Sequence, residues 1–323
     1  MKFGSIGTSW ICEAFLSAAK KIDGMEYAAA YSRSRETGTA FARKNGAGTV
    51  FTDLKEMAQS DLIDAVYIAS PNRFHYEQSK LFLEHGKHVL CEKPMTTTRE
   101  EEAELISLAE QNGLVYAEAI MSIHTPAFQK LRQAILEIGV IRTVNFIFCQ
   151  LSSKYPAYLA GKNPNIFNPE MHTGCLMDIG VYNVYLAAAL FGKPDKIISD
   201  AVFLPSGADA CGTAVLKYGN MTVNLIHSKV GQNYAPSEII GDSGTISIAS
   251  VSQLTGMELI TKEKRSILTA YDISRNEIMG AEAAYFRDAV EKGPAEEYAF
   301  ARNTSLLVRE ISDELRRQNG FPF

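Results

Sequence analysis

The chain is expected to be an α/β protein of two domains: a doubly wound parallel sheet over residues 1–120, then an α/β domain over 121–323 with a largely antiparallel open sheet. Three observations carry this. Strand and helix patterns alternate up to residue 120, the grammar of a parallel sheet with crossover helices. The strand expected at 63–69 is apolar without alternation from Ala65 onward, as a strand covered on both faces should be. Beyond residue 197 strands follow one another through tight turns at 218–221 and 241–244, and strands so joined pair antiparallel. A length of 323 residues fits two cores better than one.

In order, residues 2–6 form a strand, and Gly7, Thr8 and Ser9 turn the chain into a helix over 10–20. A strand over 25–31 ends in Ser32, Arg33 and Ser34, and a polar helix covers 35–44. After a short strand at 50–51, Asp53 is suited to cap the next helix. The strand at 63–69 leads to a helix over 74–85, ended by Gly86, and to a strand at 89–91. Thr98 and Glu101 have capping-box spacing and open a helix that ends near Asn112 and Gly113. A sixth strand, 114–118, follows. In the second domain a helix over 126–138 leads into a long alternating strand, 143–151. Residues 152–173 are loop-rich, and a compact helix over 176–191 is stopped by Gly192 and Pro194. Strands are expected at 198–204, 212–217, 222–229, 238–241, 245–249, 257–260 and 266–270, and helices at 276–292 and 304–318.

The bulk properties exclude several classes. The net charge is −5 and there is no Lys/Arg block, so neither nucleic acid nor an anionic membrane is expected as partner. No apolar run approaches the roughly 20 residues of a membrane span. A strand starts almost at Met1, so no signal peptide is expected and the chain reads as cytoplasmic. Cys12, Cys91, Cys149, Cys175 and Cys211 are dispersed, without a C-x-x-C pair, and read as reduced, mostly buried thiols; no metal is expected. Gly-x-Ser-x-Gly and His-Glu-x-x-His are both missing, which removes the Ser/His and zinc hydrolases.

The most informative stretch is Cys91-Glu92-Lys93-Pro94-Met95, placed at the C-terminal end of an apolar strand, where open α/β sheets bind ligands. Alone, Lys93 would read as a solvated surface lysine. The run from Asp64 to His75 repeats the design, an apolar strand ending in a polar turn with Ser70, Pro71 and Asn72. Together they indicate a nucleotide site with a cation in it. Gly7, Thr8, Ser9, Trp10, Ile11 and Cys12 lie between strand and helix, where a dinucleotide loop needs a glycine at the turn and small residues near the pyrophosphate and at the helix–sheet contact. Only Gly7 of the three positions is glycine, so a generic strand–helix connection reads equally well. The second strand lacks the Asp or Glu that holds a ribose in NAD readers; Ser32 and Arg33 suit a 2′-phosphate instead, so NADP is preferred over NAD. Arg33 could equally stack on adenine with either cofactor.

These features, in this order, resemble the Gfo/Idh/MocA family, the glucose–fructose oxidoreductases, inositol dehydrogenases and their relatives. The matching segments are 7–11, Ser32-Arg33, 64–75, Glu92-Lys93-Pro94 and Gly174-Cys175-Leu176-Met177-Asp178-Ile179-Gly180-Val181-Tyr182, with 282–286 and 302–316 also similar. The resemblance covers nearly the whole chain. It implies an N-terminal Rossmann domain, a C-terminal domain with an open sheet, a site between them, and nicotinamide chemistry on sugars, cyclitols, diols or related hydroxy compounds. Ser9 stands where the family usually has glycine. Tyr182 stands where histidine is frequent, which resembles the glucose–fructose oxidoreductase and dimeric dihydrodiol dehydrogenase branch and its NADP preference.

Asp178 and Tyr182, four apart on an expected helix, face the same way. An unperturbed tyrosine, with a pKa of about 10, is a poor base at neutral pH; a nearby ammonium lowers it. Tyr182 is therefore the expected general acid/base, with Lys93 lowering its pKa and polarising the substrate oxygen, and Asp178 orienting Lys93 or binding a substrate hydroxyl. A helix-end aspartate and a core tyrosine are the plainer reading. Ser70, Pro71, Asn72 and His75 are expected on the nicotinamide side, with Glu92 and Glu118 near it; His75 could instead cap its helix. His124, Tyr155, Asn163 and His172 are candidates for substrate contact and equally for ordinary loop residues, and His227 reads as structural. Phe146 and Phe148 mark either an oligomer face, giving a homodimer or homotetramer, or core. Two other functions stay open: a glycosidase that works by transient oxidation with tightly bound NAD, and a non-catalytic nucleotide-binding regulator.

Overall fold

The computed structural model describes residues 1–293 and 295–323. It divides into two compact units: Met1–Met121 with Ser274–Asn303, and Ser122–Ile273 with Thr304–Phe323. In the first unit the chain runs β1 (Lys2–Ile6), α1 (Trp10–Ala19), β2 (Glu26–Tyr31), α2 (Arg35–Asn45), β3 (Thr49–Phe51), α3 (Leu54–Gln59), β4 (Ala65–Ile68), α4 (His75–Glu84), β5 (His88–Glu92), α5 (Arg99–Gln111) and β6 (Tyr116–Ala119). The strands pair in parallel in the order β3-β2-β1-β4-β5-β6, so the winding reverses between β1 and β4. All four β4 positions are buried, as its apolar run requires. Tyr67 of β4 stacks on Phe15 of α1 with ring centroids 3.9 Å apart, and Phe3 of β1 meets Phe15 edge-on. The Asp53 carboxylate accepts the Glu56 N–H at 2.9 Å, and Thr98 with Glu101 forms a reciprocal capping box.

The second unit contains α6 (Pro126–Ile135), β7 (Ile141–Cys149), α7 (Tyr155–Leu159), a π-helical turn (Leu176–Gly180) that runs into α8 (Val181–Phe191), and strands β8 (Lys196–Phe203), β9 (Asp209–Tyr218), β10 (Met221–Ser228), β11 (Ser237–Gly241), β12 (Gly244–Ser250), β13 (Thr255–Thr261) and β14 (Arg265–Ile267). Their order is β14-β13-β12-β11-β7-β10-β9-β8. Among the described residues every neighbouring pair is antiparallel except β7–β10. α8 packs on β7 and β10. On that face Val144, Phe146, Val223 and Leu225 are buried. The opposite face carries a cross-strand row, Ile147, Ile226 and Thr213, flanked by the exposed Ile198 and Val202. Phe146 and Phe148 thus belong to the covered face, and Phe148 lies against Tyr182 with centroids 5.9 Å apart. They face the helix-covered side, because strand alternation sends their immediate neighbour Ile147 the other way.

α9 (Arg275–Lys292) packs along α1, so residues 274–303 belong to the first unit although the sequence pattern groups them with the second. α10 (Glu296–Asn319) begins eight residues before the expected 304. Its first turn is polar in sequence, but Tyr298 is buried and donates its hydroxyl to the Tyr116 carbonyl at 3.0 Å, a tertiary contact without local signature. The stretch Pro169–Phe191, whose most apolar 18-residue window has a mean hydropathy of 1.5, is by length and composition apolar enough to cross a membrane, contrary to the expectation that no such run exists. Its charged Glu170 and Asp178 hide this from inspection, and 78% of its most apolar window is buried inside the protein, as in a core helix.

Candidate active site

The first cluster lies where the strand order of unit 1 reverses. Gly7 follows β1 with φ of +111°, and a Cβ there would sit 2.6 Å from the Ala69 carbonyl oxygen beyond β4. No larger residue fits between these two strand ends. Thr8, Ser9 and Trp10 are exposed; Ser9 precedes α1 without capping it by its side chain, which leaves the helix N-terminus facing outward. The Arg275 guanidinium lies 5.1 Å from the centre of the Trp10 ring. Ile11 is half-buried and Cys12 fully buried, so the small thiol lets α1 sit close on the sheet. At the end of β2, Ser32 donates its N–H to the Phe51 carbonyl at 3.1 Å, and Arg33 is exposed. A hydroxyl and a guanidinium thus stand where a ribose-binding carboxylate would be.

The second cluster fastens the loop that carries Lys93. The Lys93–Pro94 bond is cis. His75, fully buried at the start of α4, places Nδ1 2.9 Å from the Pro94 carbonyl and Nε2 2.7 Å from the Ser70 carbonyl. Burial holds its pKa below the ordinary value, and a neutral ring can donate to only one of the two oxygens. His75 therefore ties the Ser70-Pro71-Asn72 turn to the Lys93 loop from inside and does not present its ring at a surface. Ser70 donates its hydroxyl to Gln78 at 2.7 Å. Glu118, 5% exposed, accepts the Met95 N–H at 2.9 Å, and Tyr116 donates to the Met95 carbonyl. Glu118 thus also acts on the loop's backbone. Glu92 accepts the hydroxyl of Tyr67, and burial raises its pKa while Lys93 pulls it down. Sequence reading missed Glu282 of α9. Its carboxyl is buried with neither oxygen hydrogen-bonded, and burial, then Glu92 and Glu118, push its pKa well above the ordinary carboxylate value.

The third cluster lies in unit 2. Asp178 sits in the π-helical turn and Tyr182 in the first turn of α8, so the single expected helix over 176–191 is two joined segments. Asp209, 1% exposed, accepts the N–H of Cys175 at 3.0 Å and of Leu176 at 2.6 Å, capping the turn. Donor atoms of Cys175, Asp209 and His227 lie within 4.8 Å of one another. Because Asp209 spends both oxygens on backbone N–H groups, this trio is the clamp of the turn. The imidazole of His227 lies against the α-carbon of Gly180, where a Cβ would come within 2.9 Å of the ring; this is why glycine separates Asp178 from Tyr182. Burial lowers His227 to about 4, so the ring is neutral. Asp178 forms an ion pair with Lys229, just beyond β10, a partner the sequence reading did not supply.

The remaining candidates are scattered. His124 is half-buried, with its ring nitrogen Nε2 inside the protein and its pKa lowered by burial to about 3. Tyr155 packs with Tyr158 and Phe167, His172 stacks on Phe323 with centroids 5.2 Å apart, and Asn163 is exposed.

Residues 1–120 match the oxidoreductase family with an NAD-binding Rossmann fold, and residues 128–247 match the GFO/IDH/MocA C-terminal domain. The chain is 40% identical over its whole length to scyllo-inositol 2-dehydrogenase (NADP(+)) IolU of Bacillus subtilis, covering 98% of that protein. The chain belongs to the Gfo/Idh/MocA family. It is 25% identical, over 100% of its length and 98% of the relative, to trans-1,2-dihydrobenzene-1,2-diol dehydrogenase of Mus musculus. Among solved structures, KijD10, a 3-ketoreductase of Actinomadura kijaniata in complex with TDP-benzene and NADP, superposes with a TM-score of 0.84 at 23% identity, covering 99% of this chain and 98% of that one. As a family member the chain is an NAD(P)-dependent oxidoreductase. The Gly7 turn, the exposed N-terminus of α1 and the Ser32-Arg33 pair fit such a dinucleotide, since a Cβ at Gly7 would close the approach.

Proposed function

We propose that the protein transfers hydride between NADP and a secondary alcohol or ketone of a cyclitol, sugar or vicinal diol. The observation that carries this is the fastened loop holding Lys93 at the end of β5, in a chain 40% identical end to end to an enzyme named for scyllo-inositol and NADP(+). Gly7, Thr8, Ser9, Trp10 and Ile11 bind the pyrophosphate, and Ser32 and Arg33 the 2′-phosphate. Ser70, Pro71 and Asn72 line the nicotinamide end, with His75, Glu92 and Glu118 holding that region from within. When bound, the nicotinamide accepts or donates the hydride. Tyr182 takes the hydroxyl proton onto its phenolic oxygen during oxidation and returns it during reduction. Lys93 favours the phenolate and polarises the substrate oxygen, and Asp178 accepts a neighbouring substrate hydroxyl.

Trp10, the single tryptophan, reports on the proposed pyrophosphate loop. Its fluorescence should quench saturably with NADPH, and NADH should bind at least about tenfold more weakly, the loss of one charge-assisted contact. Absorbance changes on mixing NADP with inositols, aldoses and vicinal diols should then identify the substrate. Tighter NADH binding would overturn the cofactor assignment. Release of free sugar from a glycoside without net cofactor turnover would overturn the reaction.

We infer further that the open face of the second unit's sheet, with Ile198, Val202 and Ile226 exposed, joins copies into a homodimer or homotetramer. Light scattering should give a multiple of 35.5 kDa, and Ile226→Lys should shift it toward the monomer. A monomeric wild type at micromolar concentration would refute this.

A further inference from the structure

Lys229 has no role in the family resemblance and none in the reaction as written above. It lies one residue past β10, and its backbone is held on both sides: its N–H donates to the Ala210 carbonyl at 2.9 Å, and its carbonyl accepts the Ser152 N–H at 2.9 Å. The Lys229 side chain is 9% exposed and that of Asp178 30%. An ammonium so placed is tolerated because a carboxylate meets it. Among the groups that act on the pair are Cys175 and Asp209, which clamp the start of the π-turn; the neutral His227 and Cys211 of β9 lie next to these two in turn. Asp209 adds negative charge beside Asp178 and His227 is neutral, whereas Lys229 opposes protonation of Asp178.

We propose that Lys229 is a positioning residue, which holds the Asp178 carboxylate ionised and in one orientation so that it accepts a hydroxyl of the polyhydroxylated substrate. This rests on the assignment of Asp178 to substrate binding. The clamped backbone is what makes the lysine effective: a mobile lysine would follow the carboxylate, whereas this one fixes where it points.

The test uses Lys229→Met and Lys229→Arg in the full chain with 13C-labelled aspartate. The Asp178 carboxyl resonance is assigned by its loss in Asp178→Asn. In Lys229→Met that resonance should titrate at least about one pH unit higher than in wild type, since a half-buried carboxylate loses its counter-charge. Lys229→Arg should restore the wild-type titration. An unchanged titration in Lys229→Met overturns the proposal whether or not the substrate is known. With the substrate in hand, Lys229→Met should raise KM about tenfold or more, the loss of a charged hydrogen bond, and move the acidic limb of kcat/KM upward while kcat at high pH changes little. A uniform fall in kcat with an unmoved limb would mean a structural role only. If Lys229→Met does not fold, Asp178→Asn/Lys229→Met removes both charges together and should recover the fold; failure to recover it would show that the lysine acts on packing and would also overturn the proposal. Should the titration shift while no polyol is oxidised, the positioning stands and the substrate class falls.

Discussion

Tyr182→Phe is expected to lower turnover by about 10²–10⁴-fold, the range typical of losing a general acid/base, while NADPH binding read from Trp10 stays at the wild-type level. The ring is 8% exposed and lies on Phe148, so removing only the hydroxyl leaves the packing in place. The substitution therefore separates chemistry from folding better than alanine would. If the proton moves through this phenol, the defect should appear in kcat and kcat/KM together, because the interaction is made in the transition state. Lys93→Ala should give a defect of similar size, and should also move upward the acidic limb of the pH profile for oxidation, since the ammonium no longer favours the phenolate that acts as base. Wild-type turnover in Tyr182→Phe would remove the residue from the mechanism. Loss of NADPH binding in the same variant would make the activity result uninterpretable as chemistry and point to a binding role.

Asp209→Ala is expected to be the most damaging substitution outside the reacting groups. It would leave the Cys175 and Leu176 N–H groups buried without acceptors, at a cost of about 1–3 kcal/mol each, partly offset by no longer burying a charge. A net loss of about 2–4 kcal/mol in chemical denaturation follows. Activity should fall with it, because the turn so capped carries Asp178. The pH dependence gives a second check. Burial pushes the Asp209 carboxyl up from 3.8 to about 6, against the pull of its backbone donors. The folded state therefore holds the proton more tightly than the unfolded one. The contribution of this group to stability is greatest below about pH 4, declines as the pH rises to about 6, and is constant above that. Relative to Asp209→Asn, which cannot titrate, the wild type should lose up to about 3 kcal/mol between about pH 4 and pH 7. His124 and His227, kept neutral by burial, act in the opposite sense, since stability falls as they are asked to protonate below about 6.5. They are common to both proteins and cancel in the comparison. A pH-independent difference would place the Asp209 carboxyl at its ordinary pKa.

Residue order alone determined the parallel sheet of the first unit, the caps at Asp53 and Thr98, the turn at Gly7 and the prominence of Lys93, Asp178 and Tyr182. Each leaves a local trace: an apolar run of strand length, a short polar side chain three residues before a helix donor, a glycine between strand and helix. What tertiary structure decided are the contacts between distant residues. Lys229 meets Asp178 across 51 positions of sequence, and Asp209 caps Cys175 across 34. His75 holds the Pro94 carbonyl 19 residues on, and α9 returns to pack on α1. None of these pairings has a period or a local propensity, so no window of sequence contains them. The wider turn at Leu176–Gly180 belongs with them, because a π-turn is set by what clamps its end and what lies against its glycine, here Asp209 and His227, and not by the helical pattern of its own residues.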